Sequence, residues 1–554
     1  MTDECLDIID EFGRVSGSKL NREKTVGLVM NEKVIYDNDI NSDIRLTLGP
    51  VTVLGIPLGK QIQIDYWESL LEVLRKRLSM WKKRNLSLKG KVHIIKSMGI
   101  SKLLFSTDHM IMTEEHLAKA ENILYEFLWG GKKCKMKKEV CTLPRSMGGI
   151  GMLDLRVALK VQKIKWVRRV LQANVLDEWT VFPLKNFACL DRMFDTELFA
   201  LRVNNSSECM NRINIGQFYY LCINYFQELC RKGRVETDQD IIWCNKALKF
   251  NGKTLAFPHW AKSGILYKYD IIKNANLNEQ GIYDSLKYKA SFYFDIAKLK
   301  VSIPKEWYKE YDLNNSNANI STEKVKKLIL DMPIEVPEGP IKKFVELTSR
   351  DMYNVLLMNK NVFIKSKEYW TSKFENTNID FTHWFNSLFN CSITPRKCID
   401  FNWRIFHGQV NTEKRLAKMK FSDGFCKLCK VEIENLEHLL FDCCKVYEIW
   451  QLISPIFEQS FTVQLDKFMV LAGNLKDNNE SKIINMMLSI CRWLIWKRRN
   501  RFKFENDYTD KSTLCMMIKN EISKHIDTLL MCRHVKKNTE MYMKLHYLKN
   551  SLSN

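Results

Sequence analysis

The sequence predicts a mainly α chain with minor β content, an α+β class built from several domains. Three observations carry this. Apolar residues recur at helical spacing over long stretches, as at Trp67, Leu70, Leu71, Leu74 and Leu78. Strand-like runs are few and short, at residues 26–30 and 51–54. The 554 residues exceed what one ordinary core organises, and 45% hydrophobic with 27% charged residues describes a globular chain.

In chain order, residues 1–60 open on a helical pattern (Cys5, Ile8, Ile9, Phe12) that stops at Gly13 and Gly17. The two strand-like runs follow, with the turn-prone Gly55-Ile56-Pro57-Leu58-Gly59 behind them. Residues 61–170 read as helices. A glycine-rich break at Gly148-Gly149-Ile150-Gly151 interrupts them, and helical patterning returns at 157–171. Residues 171–345 mix amphipathic segments with a polar linker at residues 314–319. Residues 346–455 carry an aromatic-rich helical block and then a cysteine/histidine cluster, while 456–554 read as a basic helical tail. No internal repeat is visible.

The 86 Lys and Arg exceed the 64 Asp and Glu to give a formal charge of +22, which favours a polyanionic partner, RNA or DNA. The longest apolar stretch, residues 483–496, contains Asn485 and Arg492 and is too short for a bilayer, so no membrane partner is expected. Seventeen scattered cysteines and no visible signal peptide fit a reducing compartment, nuclear or cytoplasmic.

Cys426 and Cys429 stand two residues apart, followed by His438 and Cys443. Three thiolates and one imidazole satisfy tetrahedral Zn²⁺ and leave no place for water, so the site is expected to be structural. Cys444 competes with Cys443 for the fourth position. The candidate nucleic-acid contacts begin with Arg75, Lys76, Arg77, Lys82, Lys83, Arg84, Lys89, Lys91 and Lys96, a cluster without matching acids. Lys132, Lys133, Lys135, Lys137 and Lys138 form a second, either phosphate-binding or simply soluble. Lys497, Arg498 and Arg499, with Arg501 and Lys503, form a third, interleaved with Trp496, Phe502 and Phe504. For each cluster the alternative is a solvated face, and for Trp493 and Trp496 a place in a core. Trp403 and His407, one turn apart, are expected to brace the zinc module rather than touch a base.

Read with its flanks, the cluster resembles the zinc-binding segment that follows the reverse transcriptase of non-LTR (LINE-type) retrotransposons. Upstream stand Pro395-Arg396-Lys397-Cys398, Trp403-Arg404-Ile405-Phe406-His407-Gly408, Asn411-Thr412 and Arg415-Leu416; Trp450 closes the segment. Ile495-Trp496-Lys497-Arg498-Arg499-Asn500 is similar to the family's tail. Phe12, Ser16-Gly17, Leu20-Asn21 and Lys24-Thr25 look like the palm motif that follows the polymerase aspartates, with Ser18 departing from an apolar position. Leu54-Gly55-Ile56-Pro57-Leu58-Gly59 resembles the primer-grip hairpin. Trp81, Leu86–Lys91 and Phe127-Leu128-Trp129-Gly130-Gly131 resemble thumb elements.

The resemblance implies a palm remnant with primer-grip hairpin at 1–60, a helical thumb at 61–170 and a helical connector at 171–345. A zinc-binding domain at 346–455 and a basic tail at 456–554 complete it. It implies RNA or DNA as partner and RNA-directed DNA polymerase as the family's activity. That chemistry needs paired aspartates to hold two metal ions. The sequence has no consecutive aspartates, Asp37 and Asp39 lie after the palm motif, and Lys24 reads as a relic. The chain alone is therefore expected to be an inactive nucleic-acid-binding remnant without the family's endonuclease. The alternatives are a fragment of an active polymerase with its upstream portion supplied elsewhere, a protein-interaction scaffold, and an unexpressed relic.

Overall fold

Long amphipathic stretches with few β-branched runs make helices, and helices dominate the computed structural model, with only five two-stranded β pairings among the described residues. The structure describes residues 2–553 apart from 30–43, 60–62, 132–135, 174–176, 182, 184–216, 236–241, 244, 246, 287–290, 311–325, 328, 338, 358–361, 375–378, 390 and 477. Asp37, Asp39, Lys132, Lys133, Lys135 and the polar linker at 314–319 thus lie outside the described residues. The chain divides into two compact units. One comprises Met1–Val73, Ile100–Ala120 and Asp154–Lys360; the other comprises Leu74–Gly99, Glu121–Leu153 and Asn361–Asn554.

In the first unit the helix Thr2–Ser16 precedes a parallel pairing of Val26–Leu28 with Arg45–Thr47. A hairpin follows, Val51–Val53 against Ile56–Leu58, with Val53 opposite Ile56. Its turn is Leu54-Gly55, both at positive φ (52° and 82°), the twist that a tight hairpin requires. This corrects the expectation of a turn across 55–59: Ile56, Pro57 and Leu58 form the returning strand, and Gly59 ends it. Tyr66 donates its hydroxyl to the Gly55 carbonyl at 3.2 Å.

The core of this unit lies between the helices Leu155–Gln172 and Gln217–Gly233, where Val161, Ile164 and Val167 meet Cys222, Ile223 and Phe226. Asp154 caps the first of them by accepting from the Val157 amide at 3.1 Å. Small hairpins and the packed rings of Trp243, Phe257 and Trp260 extend the same core.

In the second unit the helix Leu88–Ile94 starts at Ser87, whose Oγ accepts from the Gly90 amide, and continues into a wide turn at Ile95–Ile100. The glycine-rich loop has a steric reason: Gly148 sits at φ 89°, and a Cβ on Gly149 would stand 2.0 Å from the Leu143 carbonyl oxygen. The helix Arg396–Phe406 buries Phe401, Trp403, Ile405 and Phe406. The helices Cys444–Phe461, Asn479–Glu505, Lys511–Met531 and Thr539–Ser553 share one core with Cys426 and Cys443, so the tail helices form part of the body on which the cysteine cluster folds. Among the described residues no helix is long and apolar enough to cross a membrane.

Candidate metal centre and basic surfaces

A tight turn brings the first two cysteines together. The Cys426 amide donates to the Glu432 carbonyl at 2.8 Å, the Lys430 amide donates back to the Cys426 carbonyl at 2.9 Å, and Lys430 takes positive φ (62°) to close the turn. His438 opens a wide helical turn, His438–Asp442, whose start is capped by Asn435 accepting from the His438 amide at 2.7 Å. Cys443 is the N-cap of Cys444–Phe461. Trp450, one face down that helix, donates Nε1 to the Leu440 carbonyl at 2.8 Å and pins the wide turn from below.

The ligand atoms of Cys426, Cys429, His438 and Cys443 all lie within 4.8 Å of one another. Sulfurs at about 2.3 Å and a nitrogen at 2.0–2.1 Å from one tetrahedral ion stand about 3.8 Å apart for two sulfurs and about 3.6 Å for sulfur and nitrogen. Here Cys426 Sγ and Cys443 Sγ are 3.9 Å apart, and Cys429 Sγ and His438 Nε2 are 3.4 Å apart. The donor set therefore fits Zn²⁺, with all four positions filled by protein. A hydrogen bond from Cys443 holds the Cys426 thiol well below the usual thiol range against the upward push of burial, with help from the Cys429 and Leu428 amides. Cys444 is exposed while Cys443 is fully buried, so the geometry brings Cys443 into the cluster.

The sequence reading missed one residue of this site. Glu432 places a carboxylate oxygen 2.9 Å from His438 Nδ1, which leaves Nε2 to face the sulfurs. The only trace in the sequence is an acid in the turn between the second cysteine and the histidine, too common a feature to single out.

Of the thumb-like cluster, Arg75, Lys76, Arg77, Lys82, Lys83, Arg84, Lys89 and Lys96 are exposed, and the stretch 75–96 holds no acidic residue. Lys82 pairs with Glu126 at 3.0 Å, and the Arg84 guanidinium lies 4.6 Å from the Trp81 ring centre. Lys91 is half-buried and donates to the Leu128 carbonyl at 3.2 Å. The hairpin residues Leu54, Gly55, Ile56, Pro57, Leu58 and Gly59 belong to the other unit, with Leu54 exposed at the turn and Ile56 buried.

The tail cluster requires a correction. Lys497 is exposed, but Arg498 and Arg499 are buried. Arg499 bonds Glu434 through Nε at 3.0 Å and Nη2 at 2.5 Å, and reaches Glu413 at 2.5 Å; Lys503 also reaches Glu413, at 2.5 Å. Arg498 donates to the Thr509 and Lys445 carbonyls at 2.7 and 3.2 Å. These guanidiniums are committed inside the fold, because two carboxylates buried without them would be costly, and they are not free for phosphates. Trp493 and Trp496 pack on Phe401, ring centres 5.6 and 5.0 Å away. Trp403 and His407 brace the glycine-rich loop, both donating to the Gly148 carbonyl, at 3.0 and 2.8 Å.

A closed three-cysteine, one-histidine centre carried by a helical unit defines a zinc-stabilised module, and the comparisons agree. Residues 347–450 match the model of the zinc-binding segment in reverse transcriptase. The chain is 21% identical over 548 residues to an uncharacterised 149 kDa protein of transposon TX1 from Xenopus laevis, covering 90% of this chain and 40% of that protein. It is also 21% identical over 458 residues to an Arabidopsis thaliana protein provisionally described as a ribonuclease H protein, covering 80% of this chain and 65% of that one. The chain is a reverse-transcriptase-related region of non-LTR retrotransposon descent that includes the zinc-binding segment. It spans less than two thirds of the length of either relative.

Proposed function

We propose that the chain holds RNA or DNA on the basic face of residues 75–96, with Zn²⁺ bound by Cys426, Cys429, His438 and Cys443 as a structural support. The carrying observation is the density of charge in that stretch: eight exposed cations in 22 positions with no acid among them. Cations so arranged contact phosphates without reading sequence, and each contact releases counterions. The kinship to a transposon protein and to reverse-transcriptase modules supports the reading. The task of such a surface is to grip a template or a template–primer duplex. The two-metal chemistry of polymerisation would come from carboxylates that this sequence does not offer as an adjacent pair.

The test is binding of the purified chain to a structured RNA and to a primer–template duplex across a salt series. A linear fall of log K with log salt is expected, with a slope of about −0.9 per phosphate neutralised on duplex DNA. No binding at low salt would sink the proposal. Exposed Phe421, Phe425, Val431 and Ile433 around the zinc turn favour a second reading, a protein-docking module. A shallow salt slope would favour it.

A further inference from the structure

In the zinc turn Phe425 stands opposite Ile433. The pair is bracketed by the Cys426 amide on the Glu432 carbonyl and the Glu434 amide on the Gly424 carbonyl, at 2.8 and 3.0 Å. That pattern marks two residues without hydrogen bonds of their own, whose side chains lie close together on one side of the hairpin. Alternation along the strand sends Phe425 away from the metal cluster, because its neighbour Cys426 turns into it. Phe425 is 45% exposed and Ile433 53%. Phe421 is 78% exposed and stands four residues before Phe425, within about 14 Å of it even at full extension. Met419 and Val431 are exposed as well. Large apolar side chains gathered outside a core in so short a segment mark a contact surface.

The charges of the same segment define what is contacted. Between residues 413 and 434 every acid is engaged: Glu413 and Glu434 are buried on Arg499, Asp423 holds Lys427 at 2.9 Å, and Glu432 faces His438. Lys414, Lys418, Lys420 and Lys430 are exposed, and none of the four forms an ion pair among the described residues. The Lys414 amide donates to the Glu434 carbonyl at 3.0 Å, which ties the short helix Glu413–Lys418 to the hairpin. Lys420 directly precedes Phe421, and Lys430 directly precedes Val431. The apolar side chains alone would suit a protein. A protein would have to bring an acid to each of four lysines, whereas a nucleic-acid strand brings one phosphate per nucleotide with a flat base beside it. A duplex hides the flat faces of its bases, and an unpaired strand offers them.

We propose that the zinc turn is a stacking platform for unpaired RNA or DNA, with bases on the rings of Phe421 and Phe425 and phosphates on the four lysines. The proposal rests on the nucleic-acid reading above and deepens it. The cations of residues 75–96 hold phosphates whether or not the strand is paired; the platform adds a preference for nucleotides that are not.

The experiment uses the full chain and three ligands over a salt series: a single strand, an abasic strand of the same length, and a blunt duplex of the same sequence. Wild type is compared with Phe421→Ala, Phe425→Ala and Lys420→Gln, and thermal melts with zinc content confirm that the variants are folded. Stacking of one base on one ring is worth at least about fivefold in affinity. Each alanine variant should therefore bind the single strand at least about fivefold more weakly and the duplex as wild type does. Wild type should bind the abasic strand, which keeps every phosphate, at least as weakly as either variant binds the intact one. Lys420→Gln should flatten the salt slope on the single strand by about 0.7, one phosphate's worth. Alanine variants that bind the single strand as wild type does would overturn the platform and leave the rings to a protein partner. Equal binding of intact and abasic strands by wild type would overturn it too. So would an equal loss on strand and duplex, which would make the rings supports of the fold. In each of these cases steep, salt-dependent binding of the duplex by wild type leaves the general reading intact. A wild type that binds none of the three ligands removes both.

Discussion

His438 turns Nε2 toward the sulfurs because Glu432 occupies Nδ1 at 2.9 Å, so the aim of one zinc donor depends on a residue that touches no metal. Carboxylates in this position fix the imidazole tautomer, and their loss typically costs roughly 10–100-fold in metal affinity. Glu432→Gln should weaken zinc retention by that factor in competition with a chromogenic chelator, with the helical content unchanged; an unaltered competition curve would show Glu432 to be a bystander. His407 is a histidine of the opposite kind. Its Nε2 donates to Gly148, its Nδ1 accepts from Ser366 Oγ at 3.1 Å, and burial pushes it down to about 4. An unfolded chain protonates this ring near 6.5, so between pH 6.5 and 4 the unfolded state binds the extra proton. The stability it contributes is complete above about pH 6.5 and falls as the pH drops through that window. Asp400, raised to about 6 chiefly by burial, works in the other direction over nearly the same range, which conceals the effect in wild type alone. The comparison with His407→Gln isolates it: from pH 7 to pH 5 wild type should lose about 2 kcal/mol more than the variant in urea unfolding. Parallel losses would mean that the ring is not held neutral.

The helix Asn479–Glu505 shows what could and could not be read in advance at the level of elements. Its helical period was legible, and a core place for Trp493 and Trp496 was one of the two readings open; the rings they pack on were not. The burial of Arg498 and Arg499 was not, because the carboxylates that receive Arg499 lie 65 and 86 positions upstream, at Glu434 and Glu413. A signal did exist: the buried stripe Ile484, Leu488, Cys491 and Ile495 runs on at helical spacing into 498 and 499, whereas 497 falls off it. A run of three basic residues invites reading as one surface, but a helix distributes consecutive residues over different faces. The cysteine cluster was legible for the contrary reason, since its four donors lie within 18 consecutive positions and their geometry is nearly local. The hairpin was half legible. Pro57 argued for a turn, yet opposite Thr52, flanking the bonded Val53–Ile56 pair, it need donate no ladder hydrogen bond and is accepted in the strand. The ion cluster gives this scale its prediction. Arg499→Met strands two buried carboxylates and should cost about 3–5 kcal/mol in urea unfolding, while Lys497→Met should stay within about 0.5 kcal/mol. Equal costs for the two would refute the assignment of Arg499 to the interior.

The two units carry separate apolar cores, one gathered around the helices Leu155–Gln172 and Gln217–Gly233, the other around Cys444–Phe461, Asn479–Glu505 and Lys511–Met531. Cys426 and Cys443 are members of the second core, and Glu434 and Arg499 tie the zinc turn to its longest described helix. Removing the metal therefore leaves thiols and an imidazole buried without their common partner, and the penalty falls on that core alone. Structural zinc contributes roughly 10–16 kcal/mol of apparent binding free energy in small zinc peptides. Here a large packed body shares the burden, so the unit should be weakened and not dissolved. Scanning calorimetry of the full chain is expected to show two transitions, of which a zinc chelator lowers one and leaves the other in place. At roughly 2–4 °C per kcal/mol for a unit of this size, a loss of several kcal/mol moves that transition by about 10 °C or more. Cys426→Ser should reproduce the shift without chelator, and adding chelator to that variant should change little further. If the chelator moves both transitions together, the two cores are one cooperative body. If it moves neither while Cys426→Ser still does, the cysteine matters for packing and the metal does not.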